Sequence, residues 1–240
     1  MQLKKTSIIL LFGLLAIISA CSSESTEEQI HGHLEEAVAQ EQEFEEQQSN
    51  ITELELQEQD LYSQIIELGT DEMDQIKKLS QEATDVVTER EESLKAEKES
   101  IDAAREEFEK TEDLIAEIED EQLSETADNM YSTMMDRFSA YDELYQAYST
   151  AIQQEKDLYA MLQEEETEQE ELTNHINTIN DSYQQVLDAN ESFNQSTTAY
   201  NDLKKEFYSQ AEIEVEYENA EQKDEGQSEE ESGESESETE

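Results

Sequence analysis

Apolar residues recur every seven positions, each with a companion three residues on, through most of this chain. From 73 to 118 the first series reads Met73, Ser80, Val87, Leu94, Ile101, Phe108 and Ile115, and the companion Ile76, Ala83, Arg90, Glu97, Ala104, Thr111 and Ile118. A seam that holds phase over this length predicts a long helix with coiled-coil-like packing. Three further segments repeat the pattern. One runs through Ala37, Phe44, Ile51, Glu58 and Ile65 with Leu54, Leu61 and Leu68. The next uses Tyr131, Phe138, Tyr145, Ile152 and Tyr159 with Ala127, Met134, Tyr141, Tyr148 and Leu162. The last uses Leu172, Ile179, Val186, Phe193, Tyr200 and Phe207 with Ile176, Tyr183 and Ala211.

Turn and cap signals fall between these segments. Leu68-Gly69-Thr70-Asp71 reads as a helix end followed by a new start, Asp120 as an N-cap, and Thr167-Glu168-Gln169-Glu170 as a capping box. These breaks predict helices over about 28–68, 71–119, 121–166 and 168–216, each on the order of 60 to 75 Å long. Short connections make consecutive helices antiparallel neighbours. The predicted fold is therefore all-α, an elongated up-and-down four-helix bundle over 28–217, with a dimerising antiparallel coiled coil as the alternative.

The ends of the chain break the pattern. Residues 1–20 place Lys4 and Lys5 ahead of an apolar run from Ile8 to Ile18, then Ser19 and Ala20, which is the layout of a secretory signal peptide. The run is too short to span a bilayer, which needs ~20 apolar residues. Ile18-Ser19-Ala20-Cys21 resembles the bacterial lipoprotein box, and the only cysteine of the chain falls on its last position. That predicts cleavage between Ala20 and Cys21, acylation of Cys21 with palmitate-type chains, and a short tether over 21–27. Two or three acyl chains give stable anchoring where one is marginal. At the other end, 218–240 carries acids, Ser and Gly without a large apolar residue and reads as a disordered tail.

Composition narrows the function further. The 240 residues include 66 acidic and 14 basic side chains, no Pro and no Trp. Nucleic acid is disfavoured as a partner, because phosphate binding needs clustered Lys or Arg. Loss of the signal lysines leaves a formal charge of −54 on the mature chain, which anionic headgroups repel, so the bundle stands off the membrane. The excess reads as adaptation to high salt or alkaline surroundings, or as diffuse binding of divalent cations bridging to wall polymers. Both accounts predict that helicity and melting temperature rise with salt or Mg²⁺.

Several strings inside the seams resemble the YkyA-like cell-wall-binding lipoproteins of Gram-positive bacteria. They include Phe44-Glu45-Glu46-Gln47, Glu58 with Leu61-Tyr62, Gln64-Ile65-Ile66 and Leu68-Gly69. Ile76-Lys77-Lys78-Leu79, Glu106-Glu107-Phe108-Glu109-Lys110, Tyr141-Asp142-Glu143-Leu144-Tyr145 and Leu203-Lys204-Lys205-Glu206-Phe207-Tyr208 continue the match. The resemblance spans about 30–210 and implies a lipid-anchored four-helical bundle outside the cytoplasm. It brings no binding residues with it. The strong negative charge opposes direct binding to anionic wall polymers.

Candidate chemistry is sparse. A di-metal carboxylate bundle needs two Glu-x-x-His motifs, and only Glu28-Gln29-Ile30-His31 is present, since Glu171 and His175 are spaced by four. His31 and His33 alone make a weak zinc site. No nucleophile elbow, phosphate loop or zinc-protease motif occurs, so catalytic residues, cofactor and small-molecule substrate are all expected to be absent. Tyr131, Tyr141, Tyr145, Tyr148 and Tyr159 lie on the seam and are expected to fill core. Tyr62 and Tyr208 fall off it and are candidates for an exposed contact.

Glu58, Arg90, Glu97, Glu155, Asn190, Thr197 and Lys204 interrupt the seams and are expected to fix helix register. Threading the helices puts Glu58 level with Glu155 and Arg90 level with Asn190. On that basis Arg90→Leu should keep or raise the melting temperature. The function expected from all this is a non-enzymatic lipoprotein on the outer face of the cytoplasmic membrane, facing the wall as a binding or spacer module. The alternative is a regulator that engages another extracytoplasmic protein, membrane-bound or wall-modifying, through a helix face.

Overall fold

The computed structural model describes residues 25–214 except Glu165; Ala20, Cys21 and the tail over 218–240 lie outside the described residues. Among the described residues the chain is all-α, with helices α1 (Thr26–Gln40), α2 (Gln42–Glu67), α3 (Met73–Phe108), α4 (Thr111–Ile115), α5 (Glu121–Leu162) and α6 (Gln169–Gln210), and a single 3₁₀ turn at Thr70–Glu72. No described helix is long and apolar enough to cross a membrane. The first two helices run up, α3 and α4 return, α5 runs up again and α6 comes back, which gives four long helical arms. The end where α1 begins is called proximal here, and the end holding the 68–72 and 163–168 turns distal.

The seam residues are the core. Val87, Leu94, Ile101, Phe108 and Ile115 are buried from one series, and Ala83, Arg90, Glu97, Ala104 and Thr111 from the other. Helix α5 sits centrally, touching both α3 and α6. It therefore buries a further series that the two-position seam omits: Met130, Arg137, Leu144, Ala151 and Leu158. Position matters here. A helix with neighbours on two sides needs a wider buried stripe than a coiled-coil seam provides.

The predicted arms are shorter and more broken than the heptads suggest. The arm expected over 28–68 bends at Glu41, and the one over 71–119 breaks at Glu109 and Lys110 before the short α4. The bend at Glu41 has its freed backbone groups satisfied. Ser100 Oγ accepts from Phe44 N at 3.1 Å and donates to Gln40 O at 2.6 Å, as a buried backbone requires. Arg137 grips the Glu41 carboxylate with two hydrogen bonds of 2.7 Å.

The turns differ from one another. Asp120 caps α5 as expected, accepting from Leu123 N at 2.9 Å. The capping box expected at Thr167 does not form, because its hydroxyl donates to Met161 O at 2.8 Å and the N-cap of α6 is Glu168, which makes no side-chain cap. Gly69 has φ of −86°, so it is not a left-handed helix terminator. A Cβ there would meet only the end of the exposed Asp71 side chain, which can swing aside.

Candidate functional site: a charged groove between α2 and α6

The two ends of the bundle are built from different residues. In the proximal half Phe44 of α2, Tyr141 of α5 and Phe193 of α6 meet with ring centroids 5.5 to 5.9 Å apart. Phe108 packs against Tyr131, Phe138 and Tyr200 at 5.4 to 6.0 Å. Beyond Phe44 and Phe193 no comparable pair joins α2 to α6. Residues of the two helices instead form opposite walls of a groove with a cavity volume of about 460 Å³.

Arg90 of α3 lines the floor of this groove and is 2% exposed. Its Nη1 donates to Glu58 Oε2 of α2 at 2.8 Å and its Nη2 to Glu155 of α5. Tyr159 donates to the other oxygen of Glu58 at 2.9 Å, and Tyr183 of α6 donates to the other oxygen of Glu155. Beside them Tyr148 donates to Glu55, and the Arg90 guanidinium lies 5.6 Å from the Tyr148 ring centre. All four arms of the bundle therefore contribute to one polar network.

The network carries more negative than positive charge. Burial pushes Glu155 up to about 7, against the opposing pull of Arg90, and Glu58 nearby adds to the rise. Burial likewise raises Glu58. Burial disfavours the Arg90 cation, but Glu155, Tyr148 and Glu58 outweigh it and keep the guanidinium more firmly protonated than usual. The physical cause is a count: one guanidinium cannot compensate two desolvated carboxylates. Arg90 Nε has no hydrogen-bond partner among the described residues. Leu56, Leu158, Ile176 and Ile179 supply apolar walls, with Tyr62 at the rim.

Several sequence expectations need correction or placement. Glu58 and Glu155 do share one level, that of Arg90, but Asn190 does not; it is exposed and lies with Glu97 and Leu94 beside a smaller pocket. Tyr208 is buried, not exposed. It packs edge-on to His31 at 5.1 Å and donates to Glu35 at 3.1 Å, because the end of α6 comes down onto α1. Tyr141, Tyr148 and Tyr159 are core residues, and Tyr131 and Tyr145 are half-buried against it. Thr197 accepts from Arg137 Nε at 3.0 Å, and half-buried Lys204 lies 5.8 Å from the Tyr208 ring centre. Arg137 itself, 5% exposed, escaped the two-position seam although the helical repeat through Met130 and Leu144 marks it.

The histidines have local work. Glu28 accepts from Ser25 N at 2.8 Å in a true capping box with the Ser25 hydroxyl, so it faces the backbone and not His31. His33 Nδ1 lies 2.6 Å from Glu107, and His175 Nε2 2.7 Å from Gln154 O. Among the described residues no three His, Cys, Asp or Glu side chains converge as a metal site.

Comparison with known proteins agrees with this architecture. Over residues 25–210 the chain matches the model of the YkyA family, described as "Putative cell-wall binding lipoprotein". It is 31% identical over 195 residues to "Uncharacterized lipoprotein YkyA" of Bacillus subtilis (strain 168), covering 81% of this chain and 87% of that one. A crystal structure of a conserved protein of unknown function from Staphylococcus aureus has a similar fold, with a TM-score of 0.68 at 12% identity over 76% of this chain and 93% of that one. The match spans the helical bundle from its first cap to the last turn of α6, and by it this chain belongs to the YkyA family of lipoproteins.

Proposed function

We propose that the protein is a non-enzymatic lipoprotein, held on the outer face of the cytoplasmic membrane through lipid on Cys21, that presents a wall-binding module away from the bilayer. The observation that carries this reading is the placement of the groove. Helix α1 begins at Thr26, five residues after Cys21, while the groove centres on Glu58. At about 1.5 Å per residue the groove stands on the order of 45 Å beyond the start of the bundle. An anchored rod with its recess at that height is suited to reach into a surrounding polymer layer.

The test is co-sedimentation of the whole chain, purified in detergent, with cell-wall sacculi across Mg²⁺ concentration. The expected result is specific pelleting. Dependence on Mg²⁺ would assign the contact to cation bridging by the acidic helix faces; pelleting without Mg²⁺ would assign it to a contact that needs no cation. Failure to pellet under every condition would end the wall reading and favour a protein partner. That second reading draws on Leu56 and Ile66 of α2, each 63% exposed, which give a helix face two apolar anchors.

A further inference from the structure

Three features of the groove bear on what would occupy it. Its volume falls within the range of ~300 to 1,000 Å³ typical of small-ligand clefts. Its polar groups are of both kinds: the carboxylates of Glu55, Glu58 and Glu155 accept, while the side-chain amides of Gln59 and Asn180 and the Tyr62 hydroxyl donate. Arg90 is buried and its Nε–H still lacks an acceptor. The walls between these groups are mostly aliphatic or aromatic, with Thr52, Gln59 and Asn180 among them.

Charge and hydrogen-bonding capacity exclude most ligand classes. Three carboxylates against one guanidinium repel a phosphate or carboxylate polymer. An ammonium would suit the carboxylates but would offer no acceptor to the amide and hydroxyl donors of the walls. An apolar helix would desolvate the network without replacing any hydrogen bond, at the cost that follows from leaving buried charge unsatisfied. A sugar ring meets all the conditions. Its hydroxyls donate to the carboxylate oxygens and accept from the side-chain amides of Gln59 and Asn180 and the Tyr62 hydroxyl in the walls, and its C–H faces match the apolar wall and the rings of Tyr62 and Tyr183.

We propose that the groove between α2 and α6 is a saccharide-binding site that takes an uncharged segment of a glycan strand, with Glu58, Glu155 and Arg90 as the polar floor. This deepens the wall-binding reading and rests on it for the source of the glycan. The groove opens to solvent between α2 and α6, so a strand is bound along its length and need not be threaded by an end. Tyr183, 37% exposed, is held at the groove by its own hydrogen bond to Glu155, so its ring is positioned without further ordering on binding.

The probe is the β-1,4-linked tetramer of N-acetylglucosamine, titrated calorimetrically into the whole chain in detergent, with an oligomer of glycerol phosphate as the anionic comparison. The tetramer should bind saturably and the phosphate oligomer should give no heat. Leu56→Arg, at an exposed rim position, places a side chain across the opening and should weaken tetramer binding by about tenfold or more, the loss typical of blocking a central contact. Leu187→Arg, equally exposed on α6 but outside the groove, should bind as the parent does. Neither position is buried, so both variants should keep the parent melting temperature.

A tetramer that binds Leu56→Arg as well as the parent would overturn the proposal. So would a chain that pellets with sacculi yet gives no heat with the tetramer, although wall binding would then stand. Groove-dependent tetramer binding without pelleting would uphold the saccharide site and remove the wall as its source.

Discussion

The proximal and distal halves of the bundle share the same heptad rhythm and end in different states. In the proximal half the four arms are drawn together by rings, and Ile30, Leu34, Phe108, Met130, Phe138 and Phe207 are fully buried. In the distal half the core is thinner and poorer in rings, with Val87, Ala83, Ile152 and Tyr159 at its centre and the ion network of Arg90, Glu58 and Glu155 beside them. Helix α6 registers the difference most clearly. It buries Phe193, Tyr200, Phe207 and Tyr208 proximally, but only Ile179 and Ser182 distally. Apolar burial holds the proximal end shut, and its partial withdrawal leaves the distal end open enough to form a groove.

The sharpest way to probe that contrast is to remove the distal cation. Arg90→Leu leaves Glu58 and Glu155 buried without compensation, and a broken buried ion pair typically costs about 3 to 5 kcal/mol. The variant should melt well below the parent at pH 8 and recover as the carboxylates protonate on acidification. Replacing Glu58, Arg90 and Glu155 together by Leu should give a protein as stable as the parent or more so, with the groove filled. The sequence alone suggested that Arg90→Leu would keep or raise the melting temperature while loosening helix register; the paired carboxylates reverse the expected direction of the melting temperature. Equal melting of the single variant and the parent by circular dichroism at pH 8 would show that the network is not energetically coupled.

A second test compares cores. Phe108→Ala removes a ring in contact with three others and should cost about 3 to 5 kcal/mol. Ile179→Ala removes a side chain from the open wall, where neighbours and solvent can fill the space, and should fall near the lower limit of ~2 kcal/mol for such truncations. Hydrogen exchange should show the same order, with slower exchange at Phe207 than at Ile179 within one helix. Equal protection along α6 would dissolve the distinction between the halves.

How much of this was legible in the sequence depends on the reach of the interaction involved. The buried residues of α3 follow from spacing alone, because a helix meeting its neighbours along one stripe repeats every seven positions. Arg137 and Met130 were not legible from a two-position seam, because the width of a buried stripe depends on how many helices surround it. The bend at Glu41 depends on Ser100 and Arg137, which are remote in sequence. Tyr208 was misread as exposed because the direction in which α6 leans onto α1 is a tertiary fact. The groove was visible only in part: Glu58, Arg90 and Glu155 stood out as polar interruptions and threading put Glu58 level with Glu155, but the place of Arg90 between them needed the register of a third helix.

The pH dependence offers a smaller effect that separates the two ends of the polar seam. Glu97 is buried near Gln48 and Tyr141 with no cation beside it, and burial pushes it up to about 7 from an ordinary 4.5. The folded chain then holds a proton that the unfolded chain has released, so stability is full below pH 4.5 and is lost as pH rises through about 7. At about 1.4 kcal/mol per pH unit the loss approaches ~3 kcal/mol. Glu97→Gln should remove this term, matching the parent near pH 4.5 and exceeding it in melting temperature at pH 8. A parent curve that is flat from pH 5 to 8 would mean that Glu97 reaches solvent more readily than its burial implies.

The smallest effect concerns the turns that close each end. The proximal turn hands α5 a capped start, with Asp120 accepting from Leu123 N. The distal turn gives α6 none, because the Thr167 hydroxyl is turned back onto Met161 O. Removing an N-cap carboxylate costs ~1 kcal/mol, partly through the lost hydrogen bond and partly through the helix dipole. Asp120→Ala should therefore lower stability by about that amount, while Thr167→Ala should leave the start of α6 unchanged and loosen only the end of α5. If the two substitutions prove equal in urea unfolding, Thr167 caps α6 in solution after all, and the distal turn is as firmly closed as the proximal one. The openness of the distal end would then have to rest on the Arg90 network alone.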